Sequence, residues 1–300
     1  TDQAKERFLL VNCSNEVKKI ISMLDNFIYQ IKSDYDANTV NNSLFDPIKT
    51  YVFRLSNHFA VDIFAEEFIC YGGVKRLVDV IELTTGNLRS YTLKAFKSIV
   101  NYLNGLQYIK EHPQVIDDFY IILMNNTDVI NIITHSLEIL WLISEKEENG
   151  SSLIINADKK YSLKHHTSNF EKLVKFVDDK STDIQIFCLK LINSLLTHIK
   201  SNQEKSSLLL RLNEVGLYSK LEVISSSKYS EIQKQLTQYQ KVSGEILPLS
   251  EFQTEQAVRR YRELEFYCNE LEAKLENISI REKQVHDLMK DFMLFKQTAD

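Results

Sequence analysis

Turn-forming residues are scarce in this chain. Its 300 residues include 7 glycines and 3 prolines, where average usage gives about 20 and 15. That shortage excludes a sheet fold stitched by many tight turns and favours helices joined by short polar loops. Cysteine is sparse as well: Cys13, Cys70, Cys188 and Cys268 stand far apart with no CxxC pair. A disulfide scaffold and a thiolate zinc site are thereby excluded, and the four read as unpaired buried thiols in a reducing cytosol. No apolar run approaches the roughly 18 residues of a membrane span. The opening TDQAKERF has no apolar signal core, so the chain reads as soluble and cytoplasmic, and its lack of a first Met reads as a start inside a longer chain. Basic excess is also missing. Lys and Arg number 36 against 41 Asp and Glu, a net charge of −5, which argues against nucleic acid as a partner.

What is there is helical periodicity. Phe8, Val11, Val17, Ile20, Ile21, Leu24, Phe27, Ile28 and Ile31 recur at threes and fours, which predicts a helix over 3–32. Residues 33–46 read as a polar loop ending in Asp46 as N-cap and Pro47 as first helical residue, with a helix over 47–55. A pattern then repeats: GVKRLVDVI from Gly73, PQVIDDFYIIL from Pro113, FEKLVKFV from Phe170 and GLYSKLEVI from Gly216. The unit centres Leu77, Phe119, Leu173 and Leu221 lie about 42, 54 and 48 residues apart, interleaved with apolar segments 88–103, 129–144 and 184–199. All-helical periods of this size match armadillo or HEAT units, which stack because none buries its own apolar face. The long second spacing reads as a polar insertion at 145–162. The expected fold is therefore all-α, an armadillo-repeat right-handed superhelix followed by a C-terminal coiled-coil helix.

Beyond it, 225–251 reads as a polar stretch broken by Gly244 and Pro248. From Ala257 a seam steps by four and three through Tyr261, Leu264, Cys268, Leu271, Leu275, Ile278, Glu282, Val285, Met289 and Phe292. Over roughly five heptads this predicts a left-handed coiled coil, simplest as a homodimer through Leu264, Leu271, Leu275, Ile278, Val285 and Phe292. A lone amphipathic helix folded back on the solenoid is the other reading of the same seam. The expected organisation is an N-terminal helical subdomain (1–58), an armadillo domain (59–227), a linker or short helical segment (228–251) and a coiled-coil helix (252–300).

Catalytic chemistry finds no foothold. There is no G-x-S-x-G, and no cysteine sits in a nucleophile signature. The glycine pair Gly72-Gly73 opens a helix and is explained by a turn. His165-His166 are adjacent, so on a helix their rings diverge, unlike ligand pairs. Asp117-Asp118 and Asp178-Asp179 read as solvated faces, and Trp141 as core. No enzyme activity and no cofactor are expected. Binding remains: Lys94, Lys97, Asn101 and Asn104 share one helix face by spacing, with Glu138, Trp141 and Glu145 on the next. Such a groove receives extended or helical peptides.

Several blocks carry a resemblance. FAEEFICYGGVKRLVDVI from Phe64 is followed by LKAF from Leu93, NYLNGL from Asn101, HPQVI from His112, CLKLINSLL from Cys188 and RLNEVGL from Arg211. In this order, over about 50–225, they resemble the N-terminal GTPase-binding and FH3 (diaphanous-inhibitory) region of Diaphanous-related formins. The ELMO family, an armadillo scaffold, shares the FAxEF-plus-Gly entry and is the nearest rival. The formin resemblance implies a partner, a Rho-type GTPase in its GTP form, with GTP and Mg2+ on that partner only. It implies that the GTPase relieves autoinhibition and so regulates actin filament nucleation and elongation by a half absent from this chain. The family's GTPase-contacting turn falls on Phe53, Arg54, Ser56, Asn57 and His58. Its groove for the protein's own C-terminal autoregulatory segment falls on Lys97, Asn101, Ile139, Leu142 and Glu145. A cytoplasmic, cytoskeleton-associated location follows from the same resemblance.

Overall fold

The computed structural model describes residues 2–36, 45–126, 129–250, 262, 265–279 and 281. Two helices open the chain, α1 (Asp2–Asp36) and α2 (Phe45–His58). The first runs further than its apolar stripe predicted, and the second begins before Asp46, which therefore sits in its first turn rather than at the cap. Val17, Ile20, Leu24, Phe27 and Ile31 of α1 are buried, and α1 packs on the first repeat. The Arg76 guanidinium locks it there with two bonds to Asp25, Nε to Oδ1 at 2.8 Å and Nη2 to Oδ2 at 3.0 Å, the bidentate geometry that makes Arg–carboxylate pairs strong.

Four three-helix units follow. The first is α3 (Asp62–Cys70), α4 (Gly73–Leu83) and α5 (Gly86–Ile99); the second is α6 (Leu103–Glu111), α7 (Gln114–Asn125) and α8 (Ile130–Lys146). The third is α9 (Gly150–His165), α10 (Glu171–Lys175) and α11 (Thr182–His198); the fourth is α12 (Asn202–Glu214), α13 (Leu217–Ile224) and α14 (Ser230–Ser250). The third helices begin at Gly86, Ile130, Thr182 and Ser230, spacings of 44, 52 and 48 residues, the first within the armadillo range of about 40–47 and the other two above it. They pack in series, α2 on α5, α5 on α8, α8 on α11 and α11 on α14. One apolar core runs through all four units. No strand occurs among the described residues.

The turn between the first and second helix of a unit explains the repeated sequence signal. Gly72 (φ 71°) precedes α4 and Gly216 (φ 92°) precedes α13, both in the left-handed region that glycine enters without strain. In the third unit the same position is Phe170, at φ 62°. A bulky residue there is strained, and a buried carboxylate compensates. Asp158 of α9 accepts the Phe170 N–H on both oxygens, at 3.0 and 3.1 Å, and the Tyr120 hydroxyl at 2.5 Å. Gly150 serves a different need: a Cβ there would lie 2.3 Å from the Ile143 carbonyl oxygen, so only glycine lets α9 start against the end of α8.

The structure corrects several expectations. The polar stretch 145–162 is a turn followed by most of α9, whose face toward the core carries Ile154, Ala157 and Tyr161, and buries Asp158 and Ser162 as well. Its polarity misled because this helix buries polar groups that find partners. Likewise Gly244 and Pro248 do not break the chain. They lie within α14, which buries Ile232, Leu236, Tyr239 and Val242 against the neighbouring helices. Of the four free thiols only Cys188 is buried, while Cys70 and Cys268 are exposed. Asp117 is half-buried and paired with Lys160 at 2.7 Å, so the Asp117-Asp118 pair is not a free solvated face.

Candidate partner-binding faces

The first candidate face is built on α2. Ile48, Val52, Leu55 and Phe59 turn inward at spacings of four and three, which sends Phe53, Arg54 and Asn57 outward. Phe53, 49% exposed, meets the Tyr91 ring edge-on at 5.0 Å, with Lys94 Nζ 6.0 Å from its centroid. His58 faces the other way, stacked on Phe64 at 5.0 Å, with Nε2 3.9 Å from Glu16. Ser56 lies between, its hydroxyl enclosed and without a partner. The five residues thus share one helix but divide between two sides of it.

Pattern reading missed what lies beyond the end of α2. The turn into α3 is clamped by Tyr102, whose hydroxyl donates to the Phe59 carbonyl at 2.5 Å and reaches Asp62 Oδ1 at 3.1 Å. Burial, then the Asp62 contact, raises the Tyr102 pKa, so it stays a donor. Beside this clamp stand Val61, Ile63 and Leu103, the last 85% exposed. An apolar side chain that exposed at the first position of a helix fits no inward stripe. That misfit was the available signal.

The second face is the ladder of third helices. Lys97 Nζ donates to Glu138 Oε2 at 2.8 Å, and Lys146 Nζ donates to Asn101 Oδ1 at 2.6 Å. Both groups assigned to the groove from sequence therefore already have intramolecular partners. Trp141 is half-buried rather than core, 6.1 Å from the Phe187 ring, and Lys190 lies over both rings at 4.8 and 5.2 Å. Ile139 is 0% exposed and belongs to the core, because the outward face of α8 runs through Glu138, Trp141 and Glu145. Leu142 is half-buried and Glu145 exposed. Asn104 does not share the face of Lys94 and Lys97, since α5 ends at Ile99 and Asn104 is on α6. His135, behind the ladder, is held neutral: burial first, then Lys97 and Lys94, lower its pKa to about 4.

The third feature is the helix over residues 265–279, α15. Leu271, Leu275 and Ile278 of the predicted seam are exposed, Leu275 by 64%. Leu264, Val285 and Phe292 lie outside the described residues. Among the described residues no cluster of His, Cys, Asp or Glu suits a metal, and no helix is long and apolar enough to cross a membrane.

Residues 86–220, from the start of α5 into α13, match the family model of the FHOD1/3 FH3 domain. Formin-C of Dictyostelium discoideum is 25% identical over 197 residues, 66% of this chain and 17% of that protein. Formin-G of the same organism is 23% identical over 250 residues, 83% of this chain and 22% of that protein. The chain thus spans about a fifth of the length of these relatives. Among solved structures, E. histolytica Formin1 bound to EhRho1-GTPγS aligns with a TM-score of 0.62 at 15% identity, over 84% of this chain and 88% of that one. A designed armadillo repeat protein in complex with the peptide (KR)4 aligns at 0.53 and 16% identity, over 78% and 98%. These matches bear out the formin FH3 resemblance and the armadillo fold.

Proposed function

From this FH3 similarity we propose that the chain is a regulatory region of a formin that binds a Rho-type GTPase in its GTP form through α2, α3 and the adjoining turns. One observation carries the reading: Val61, Ile63 and Leu103 are exposed next to the turn after α2, which Tyr102 ties to Phe59 and Asp62. Apolar groups left in water on a rigid support mark a surface made to be covered. The Formin1 match, itself a GTPase complex, supports the choice of partner. Of the five residues expected from sequence, Phe53, Arg54 and Asn57, on the outward side of α2, supply aromatic and polar groups to the contact, while Ser56 is enclosed and His58 lies on the other side. GTP and Mg2+ belong to the partner.

The regulatory step follows from linkage. A GTPase opens an autoinhibited formin only if it binds the open state better than the closed one. The closed state has the protein's own C-terminal segment on the ladder, near Lys97, Asn101, Leu142 and Glu145. Because Lys97 is paired with Glu138, an acidic segment docking there must take Lys97 from the Glu138 carboxylate. The outcome is control of actin filament assembly by a half outside this chain, in the cytoplasm at the cytoskeleton. The exposed heptad seam of α15 supports a homodimer.

The test is capture on GTPase loaded with a GTP analogue or with GDP. Retention by the analogue form alone is expected; equal binding to both forms, or to neither, refutes the reading. Leu103→Asp, and Asn57→Asp with His58→Asp, should weaken capture by about tenfold or more, the scale of an interface hot spot, with the circular-dichroism spectrum unchanged. An adaptor that binds peptides without sensing nucleotide is the second reading, favoured by the half-buried Trp141–Phe187–Lys190 surface. Peptide binding without any GTPase binding would select it. Sedimentation with and without residues 252–300 tests the dimer, and a monomer in both cases ends that proposal.

A further inference from the structure

Helix α15 lies along the outer helices of the last two units, and its contact with them is made of charge. Arg262, just before it, pairs with Glu214 at 2.5 Å; Glu265 pairs with Arg211 at 3.2 Å; Glu272 pairs with Lys159 at 3.1 Å. Lys159 is on α9, and Arg211 and Glu214 are on α12. At about 100° per residue, positions 262, 265 and 272 fall within roughly 80° of one another on a helix. The sign order along the helix is plus, minus, minus, and along the solenoid minus, plus, plus. Sliding the helix by three residues sets Arg262 against Arg211, so the charges define one register.

Apolar packing does not hold this contact. Open clefts of about 520 and 430 Å3 lie beneath the helix, the larger floored by Ile155, Ile199 and Leu208 and reached from above by Cys268 and Asn269. Leu271, Leu275 and Ile278 are exposed, centred about 125° around the helix from the paired face by the same helical geometry. A helix docked by its apolar side would bury these residues and turn its charges to water. Here the arrangement is the reverse.

We infer that Lys159, Arg211 and Glu214 form a charge-complementary latch whose occupant is this chain's own Arg262 and helix α15, holding them beside the solenoid with the apolar seam uncovered. The latch fixes the direction in which the seam leaves the solenoid. Because its pairs are partly exposed, it opens as salt rises.

Zero-length carbodiimide cross-linking tests this directly, since it joins an amine to a carboxylate only at ion-pair distance. A Lys159–Glu272 cross-link is expected at low salt, within one chain when isotopically labelled and unlabelled chains are mixed. Its yield should fall about tenfold near 1 M salt, where the screening length is about 3 Å. Hydrogen exchange of 265–279 should quicken in Lys159→Glu with Arg211→Glu and return to the wild-type rate when Glu272→Lys and Glu265→Arg are added. Lys159 is 30% and Arg211 21% exposed, so an unchanged thermal transition of the solenoid is required of each variant to show that it folds. No cross-link at low salt, a cross-link between chains, or a charge swap that fails to restore protection would each overturn the latch. None of these outcomes depends on whether a GTPase binds.

Discussion

The first two repeats and the last two are held together by different means. In the front half the large contacts are aromatic: Phe59 meets Phe68 at 4.9 Å, Phe96 meets Phe119 at 4.8 Å, and all four side chains are buried. Its buried hydroxyls Thr84 and Thr92 bond back within their own helix or its end, at Val80 and Leu88. In the rear half, buried polar groups reach between helices. Ser194 of α11 donates to Ser144 of α8 at 2.8 Å, Ser144 meets Ser151 of α9 at 2.7 Å, and Asn193 donates to Gln235 of α14, at 2.9 Å to its backbone carbonyl and 3.0 Å to its side-chain Oε1. The rear half also contains α10, only five residues long, which offers little apolar surface. Directional bonds set the register there where shape alone is poor.

Truncating the aromatic side is expected to have the largest effect. Phe96→Ala removes a fully buried ring and should cost about 3–5 kcal/mol, read from urea unfolding as a lower midpoint. On the polar side, Asp158→Ala leaves the Tyr120 hydroxyl and the strained Phe170 N–H without an acceptor. At roughly 1–3 kcal/mol for each unpaired buried group, a loss of about 2–5 kcal/mol is expected by the same measurement. A loss under about 1 kcal/mol would show that Asp158 does not support the Phe170 turn.

The two halves also differ in the sign of their pH response. Burial raises the Asp158 pKa to about 6, against the bonds from Tyr120 and Phe170, which lower it. A raised pKa gives stability that is complete below the ordinary Asp value near 4 and is lost as pH rises through about 6. His135, lowered to about 4, does the opposite: its contribution is complete above about 6.5 and is lost as pH falls through about 4. The two offset each other between about pH 4 and 6.5. Asp158→Asn should therefore make the melting temperature fall more steeply toward acid than in the wild type, and His135→Gln should make it rise. Parallel profiles for all three proteins would remove both groups from the balance.

Much of this architecture is legible in the sequence, and the errors share a cause. The units were found because each second helix is apolar and, in three of four, follows a turn of distinctive residues. Segment α9 was missed because Asp158 and Ser162 read as surface when their partners, Tyr120 and the turn after α9, are distant in sequence or on another element. Segment α14 was missed because Gly244 and Pro248 outweighed a stripe of widely spaced buried residues. On α8, which side of the helix faces out depends on how α5 and α11 press against it, and no local pattern encodes that. Ile139 was accordingly placed in the groove when it is core. The exposure of Val61, Ile63 and Leu103 depends in the same way on the turn clamped by Tyr102.

The smallest expected effect concerns a polar link between units in the front half, Lys97 to Glu138. Lys97 and Glu138 are 24% and 17% exposed, so the pair is neither screened like a surface pair nor sealed like a core one. A double-mutant cycle with Lys97→Ala and Glu138→Ala should give a coupling of about 0.5–1 kcal/mol at low salt. The coupling should shrink as salt rises, because water reaches both groups. In the rear half, a cycle on Asn193→Ala and Gln235→Ala should not respond to salt, since both groups are uncharged and buried. Equal salt dependence in the two cycles would mean that the halves are joined in the same way. A salt-sensitive front link and an insensitive rear one would leave the ladder near Lys97 as the place where a charged ligand can loosen one repeat from the next.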